Sequence, residues 1–259
     1  MKYIDVHCHL DGDCYGDISG LMQKIQSAGV QKIIAVGFDL PTSSLSRELA
    51  EKYDFCYFTA GFHPTELKNY KEGDLDRIAE IATHPKCVAI GEIGLDYHYP
   101  DTDKKKQYEV FIKQLKLAHV LSLPVQIHSR DCAEDMLSIL KDNTDLLKHG
   151  ALLHCYSHST EIAAELEKLG LYFSFGGTST WSGSKKAKRT IAALSADRLL
   201  TETDSPYLPP KSMYGSFPNT PVSIPEILKN MADIRGVSEE IMAETVWTNA
   251  HTLFKKLQN

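Results

Sequence analysis

Seven residues able to bind metal or move protons recur at one kind of place in this chain, just after a short apolar run. His7 and His9 follow the first run, His63 the third, Glu92 the fourth, His128 the fifth, His154 the sixth and Asp204 the eighth. His7-x-His9 has strand spacing. Residues two apart on a strand point to the same side, so both imidazoles can reach one metal ion. Glu92 stands in Ile90-Gly91-Glu92-Ile93-Gly94, where a carboxylate between glycines can come close to a metal pair and bridge it with its two oxygens. His128 ends Val125-Gln126-Ile127-His128 and His154 ends Leu152-Leu153-His154, so on adjacent strands their side chains would meet. Asp204 can bind a metal and also accept a proton from water. Glu202, two residues earlier, can share its face. Each group alone reads as an ordinary strand-end histidine, loop glutamate or turn cap. Together, four imidazoles and two carboxylates suit zinc, manganese, nickel or cobalt better than calcium. Six donors also exceed what one tetrahedral ion needs, so two ions are expected.

Such a set needs a scaffold that brings strand ends to one place. The apolar runs are Tyr3–Val6, Lys32–Val36, Phe55–Ala60, Cys87–Ile90, Pro124–Ile127, Ala151–Leu153, Leu171–Ser174 and Arg198–Leu200. They are short and continuous, as strands buried on both faces are. Helical patterns lie between them. Ile18–Ala28 carries apolar residues at helical spacing, as does Lys104–Leu121 with Tyr108, Phe111, Leu115 and Ala118. Asp131–Lys141 begins on a capping Asp131 with Glu134 three residues on, Thr160–Leu169 stops at Gly170, and Lys185–Leu194 follows a Gly/Ser/Thr loop. The tail, Pro221–Leu257, reads as two or three helices broken near Gly236 and Trp247. Eight strand–helix alternations in 259 residues predict a single-domain α/β fold over 1–259, a (β/α)8 barrel whose active site sits at the C-terminal mouth of the strands. An open doubly wound sheet is the other topology with this alternation.

Composition narrows the function classes. With 42% hydrophobic and 24% charged residues the chain is an ordinary globular one. Its formal charge of −6 excludes a protein that coats nucleic acid non-specifically, so any nucleic-acid contact is local. No apolar stretch at the N-terminus resembles a signal peptide, and no run is long enough to span a bilayer. The six cysteines form no CxxC pair. These features predict a cytoplasmic protein with reduced thiols and no membrane contact, a monomer or weak oligomer.

In order along the chain, IDVHCHL, GFHPTE, AIGEIGLDYHY, PVQIHSRD, LLHCYS, YFSFGG, LLTETDSPYL and NAHTLF resemble the motifs of the TatD family of metal-dependent deoxyribonucleases. The resemblance implies a TIM barrel related to the amidohydrolase-like metal hydrolases. It also implies a 3′–5′ exonuclease type of activity on DNA, supported by two divalent ions such as Mg²⁺, Mn²⁺ or Zn²⁺. By position, it implies that His7, His9 and Asp204 bind the first metal and that His128 and His154 bind the second. It further implies that Glu92 bridges the two ions, that Asp204 holds the nucleophilic water, and that His63 and Glu202 lie beside the substrate. Two stretches depart from the family pattern. Family members carry a stretch similar to RGKRN after the ETDxPYL motif, whereas here Lys211–Asn219 holds no arginine. His158 stands in LLHCYSHS where the family has glycine; it is either a bystander on its loop or an extra donor near the pocket.

Other groups can handle phosphate. Gly176-Gly177-Thr178-Ser179-Thr180 follows the seventh run, where barrels often bind phosphate through backbone N–H groups. Lys185, Lys186, Lys188 and Arg189 either serve the same end or form a solvated helix face, and Lys104–Lys106 read as helix surface. Trp181 and Tyr207 can stack on bases. The leading expectation is a two-metal phosphodiesterase acting on DNA. The alternatives are an ester, lactone or amide hydrolase with the same centre, which the missing arginines favour, and a non-catalytic binding protein on the same barrel.

Overall fold

The computed structural model describes residues 1–257, so residues 258–259 of the predicted domain lie outside the described residues. Among the described residues, eight parallel strands form one sheet in chain order: β1 (Tyr3–Cys8), β2 (Val30–Val36), β3 (Cys56–Ala60), β4 (Cys87–Asp96), β5 (Val125–Arg130), β6 (Ala151–Leu153), β7 (Tyr172–Phe175) and β8 (Leu199–Thr201). The helices α1 (Ile18–Ser27), α2 (Leu40–Lys52), α3 (Asp74–Ala82), α4 (Lys104–Leu121), α5 (Ala133–Asp142), α6 (Thr160–Lys168) and α7 (Lys185–Ala193) follow β1 to β7 in turn. Two more, α8 (Ile224–Arg235) and α9 (Glu239–Leu253), follow β8. The fold is the expected α/β barrel.

The seam between β8 and β1 is closed by polar groups. Asp204 N–H donates to His7 C=O at 3.0 Å and His9 N–H to Ser205 C=O at 2.7 Å. Below them Thr203 donates to the buried Asp5 carboxylate through N–H (3.0 Å) and Oγ1 (2.6 Å), and Thr201 Oγ1 donates to Ile4 C=O at 2.8 Å. The residues expected to do chemistry therefore also close the barrel. Behind the seam, Asn249 of α9 donates to Leu199 C=O at 2.9 Å, which ties the helical tail to β8.

Several elements differ from the sequence reading. The strands run further than the apolar runs: His7, Glu92 and His128 lie inside β1, β4 and β5 rather than after them. Polar side chains that face the barrel mouth break the apolar pattern without ending the strand. α2 and α3 were not legible as helices. α2 buries Ser43, Ser46, Leu49 and Ala50, a face of small residues with little apolar contrast, and starts on a capping box between Asp39 and Thr42. Asp131 does not cap α5; its φ is +55° and its carboxylate pairs with His98 at 3.1 Å, while the N-cap position falls on Cys132. Tyr108 is exposed, and the buried face of α4 carries Gln107 and Gln114 instead. Trp247 lies within α9, so the tail breaks only at Gly236, a left-handed C-cap with φ +66°. No helix among the described residues is long and apolar enough to cross a membrane.

Candidate metal centre

Three of the predicted histidine donors are held from behind. His7 Nδ1 lies 2.9 Å from Gln126 Oε1, and Gln126 in turn donates through Nε2 to Val6 C=O at 2.8 Å. His9 Nδ1 lies 3.3 Å from Val36 C=O. His128 Nε2 lies 2.9 Å from Asp96 Oδ2. An amide oxygen, a carbonyl and a carboxylate are acceptors, so these three ring nitrogens carry the hydrogens. The opposite nitrogens, His7 Nε2, His9 Nε2 and His128 Nδ1, then turn lone pairs toward one another and toward Glu92.

Glu92 stands at the middle of the cluster. Its Oε2 is 3.5 Å from both His7 Nε2 and His9 Nε2. Its Oε1 is 2.8 Å from His128 Nδ1 and 2.7 Å from His154 Nε2. Asp204 Oδ1 completes the first group at 3.7 Å from His7 and 3.5 Å from His9, and the two histidine Nε2 atoms are 3.3 Å apart. Donors about 2.0–2.1 Å from one tetrahedral ion stand about 3.3 Å from each other, so the spacing is that of a ligand set. On the second side His128 Nδ1 and His154 Nε2 are also 3.3 Å apart. Lone pairs and carboxylates converging in a buried space lack donors to satisfy them, and cations supply what is missing. The residues fit a divalent-metal centre around Glu92.

Electrostatics agree. Burial opposes charge on Glu92, but neighbouring His154 and His63 and the close approach of His128 and His154 hold its carboxyl well below the usual range. Burial likewise opposes charge on His9, yet Asp204 and Glu92 carry it up to about 9. Asp96 and Glu92 outweigh burial at His128 and also carry it up to about 9. Burial and neighbouring His7 lower His154 to about 4. The pull that draws a proton onto His9 and His128 draws a metal ion to the same lone pairs.

His63 has the opposite polarity. Its Nδ1 accepts from Thr65 N–H at 3.2 Å, which leaves the hydrogen on Nε2, 3.3 Å from Glu92 Oε1. It presents a donor to the centre rather than a lone pair. Its loop is fixed by Gln114, whose side chain accepts from Phe62 N–H at 2.7 Å and donates to Phe62 C=O at 3.0 Å.

Glu202 lies below the centre and is fully buried. It accepts from Ser174 Oγ at 2.6 Å, and its Oε2 is 3.7 Å from His154 Nδ1. Burial, with Asp204 beside it, pushes its carboxyl well above the usual range. It offers no exposed surface, where the expectation had placed it beside the substrate. His158 Nε2 lies 2.7 Å from Ser129 Oγ, beside the His128 strand position. Lys104 lies over the Tyr97 ring at 4.0 Å, and Lys185, Lys186 and Arg189 are exposed on α7. Gly177 is pressed on the β8 loop, where an added Cβ would stand 2.3 Å from Leu208 C=O, so the glycine segment supports that loop.

Sequence reasoning missed Asp96, Gln126, Gln107 and Asp5. Strand periodicity held the signal for three of them. Gln126 is two residues before His128, Asp5 two before His7, and Asp96 four after Glu92. Gln107 fixes Asp96 by accepting from its N–H at 2.9 Å and donating to its C=O at 3.0 Å. Nothing local in the sequence marks that pairing between α4 and β4.

A family model described as TatD related DNase matches residues 4–255. The chain is 38% identical over 252 residues to the uncharacterized metal-dependent hydrolase YabD of Bacillus subtilis, covering 97% of this chain and 98% of that protein. It is 33% identical over 234 residues to the 3′-5′ ssDNA/RNA exonuclease TatD of Escherichia coli K12, covering 88% of each. Among solved structures it superposes on the TatD homologue YjjV of Escherichia coli with a TM-score of 0.93 at 32% identity, covering 98% of each chain.

Proposed function

The chain belongs to the TatD-related DNase family, and from that premise we propose that it is a divalent-metal-dependent hydrolase that cleaves phosphodiester bonds in DNA as a 3′–5′ exonuclease. One observation carries the reading: Glu92 turns one oxygen to His7 and His9 and the other to His128 and His154. In this reading His7, His9 and Asp204 would hold one ion, His128 and His154 would hold the other, and Glu92 would serve both. Bound there, divalent ions supply Lewis acidity toward the scissile phosphate and acidify water.

The chain's own residues do the rest. Asp204 has a carboxyl held below the usual range, because His9 and His7 outweigh its burial, so it is ionised at neutral pH and able to take a proton from the attacking water. Its backbone sits at φ +51° with its N–H bonded across the seam to His7 C=O. His63 directs its Nε2–H at the centre and offsets charge that builds on a non-bridging phosphate oxygen. Gln126 and Asp96 keep the imidazoles aimed. The test is turnover of bis(p-nitrophenyl) phosphate beside p-nitrophenyl acetate, with chelator and with Mg²⁺, Mn²⁺ or Zn²⁺ restored. Chelator-sensitive turnover of the diester supports the reading; turnover of neither the diester nor DNA under any metal rejects it.

One observation favours a second reading. The segment Ser205–Thr220, which borders the centre after Asp204, contains a single cation, Lys211. A site with so little fixed positive charge suits an ester, lactone or amide as well as a phosphate. Metal-dependent turnover of the acetate alone would select this reading.

A further inference from the structure

The same segment that is poor in charge is rich in exposed rings. Tyr207, Tyr214 and Phe217 are 57%, 73% and 63% exposed. The described residues hold only two other large, comparably exposed aromatics, Tyr99 and Tyr108. Single exposed apolar side chains are ordinary, but three rings within eleven residues of the segment that leaves Asp204 at the end of β8 are a cluster with a use. The rings are paired: Tyr207 and Phe217 have centroids 6.5 Å apart, and Tyr214 meets Trp181 edge-on at 5.4 Å.

The segment carrying them is pinned. Asn219 donates through Nδ2 to Tyr207 C=O at 2.9 Å and to Thr203 C=O at 3.2 Å. Trp181 Nε1 donates to Pro209 C=O at 2.9 Å, and Lys211 N–H to Thr180 Oγ1 at 2.7 Å. Tyr207 N–H donates to Asp204 C=O at 3.0 Å, so the rings start three residues from the carboxylate that takes the proton. Hydrogen bonds thus pin the segment that holds the rings out in water.

We propose that Tyr207, Tyr214 and Phe217 form a stacking platform for the bases of a single-stranded nucleic acid whose backbone enters the centre. The proposal rests on the phosphodiesterase reading for its occupant and adds the residues that select it. With a chain charge of −6 and one Lys in the segment, phosphate attraction contributes little here, whereas every base has a face that stacks on an aromatic ring. Unpaired bases reach the rings; bases inside a duplex do not.

Fluorescence anisotropy on the full-length protein tests this without turnover. The probes are a phosphorothioate (dA)12 strand and a phosphorothioate chain of twelve abasic units. Wild type binds the base-bearing strand more tightly by roughly 5- to 150-fold, the span of one base–aromatic stack. Y214A/F217A loses a similar factor on (dA)12 and nothing further on the abasic chain, while Y214F binds as wild type. Equal binding of the two chains by wild type, equal loss on both in the variant, or no binding of either overturns the platform. The phosphodiesterase reading stands or falls separately, on the nitrophenyl diester.

Discussion

Asp96 Oδ2 lies 2.9 Å from His128 Nε2, and the far nitrogen of the same ring lies 2.8 Å from Glu92. One imidazole is thereby clamped between a carboxylate that orients it and a carboxylate at the centre. Asp96 is 2% exposed, and its own N–H and C=O are fixed by Gln107, so the orienting group is as rigid as the ring. Carboxylate–histidine–metal arrangements set both the tautomer and the basicity of the ring.

From that clamp, Asp96→Asn is expected to lower metal affinity or activity about 10- to 100-fold while the shape of the side chain is kept. Metal titration followed by diester turnover checks it. The dependence of rate on metal concentration shifts if Asp96 acts through His128, and stays put if it is merely structural.

The same logic applies to His7 through Gln126. Gln126→Leu removes the acceptor for Nδ1–H and also the donor to Val6 C=O, leaving buried groups unpaired at about 1–3 kcal/mol each. Urea denaturation is expected to show that loss, and titration a weaker metal site. A variant as stable as wild type contradicts this account of Gln126.

Gln114→Leu separates scaffold from chemistry. It leaves Phe62 N–H and C=O without their partners, costs about 2 kcal/mol or more, and loosens the loop that presents His63. Its expected kinetic signature is a raised KM for the diester with unchanged metal dependence, because Gln114 touches no metal donor.

Glycines give a paired test of packing. Gly94 has φ +145°, and a Cβ there would stand 2.0 Å from His128 C=O; Gly94→Ala is expected to abolish folding or cost several kcal/mol. Gly170 has φ +84° with nothing within 4 Å, so Gly170→Ala is expected to cost only about 1–2 kcal/mol. Thermal melts of the two variants should differ widely; equal melting temperatures contradict the close approach of β4 to β5.

The barrel was legible because its strands are short apolar runs in regular alternation with helices, and because Lys104–Leu121 has the apolar periodicity that α4 needs. The candidate metal donors were legible because each occurs just where an apolar run breaks. What supports them was not. α2 packs through small residues, so its face carries no periodic signal. Asp96 in β4 meets His128 in β5 and Gln126 in β5 meets His7 in β1, and sequence distance hides which polar residue meets which. Glu202 matches a motif position beside the site, yet only its burial reveals that it lies beneath His154.

The most direct measurement incubates the purified protein with 3′-labelled and 5′-labelled single-stranded DNA, with Mg²⁺, with Mn²⁺ and with EDTA, beside Asp204→Asn and His128→Ala. The account predicts stepwise release of mononucleotides from the 3′ end that EDTA stops and both substitutions abolish without unfolding the chain. Metal-independent release, or full release by Asp204→Asn, would contradict it.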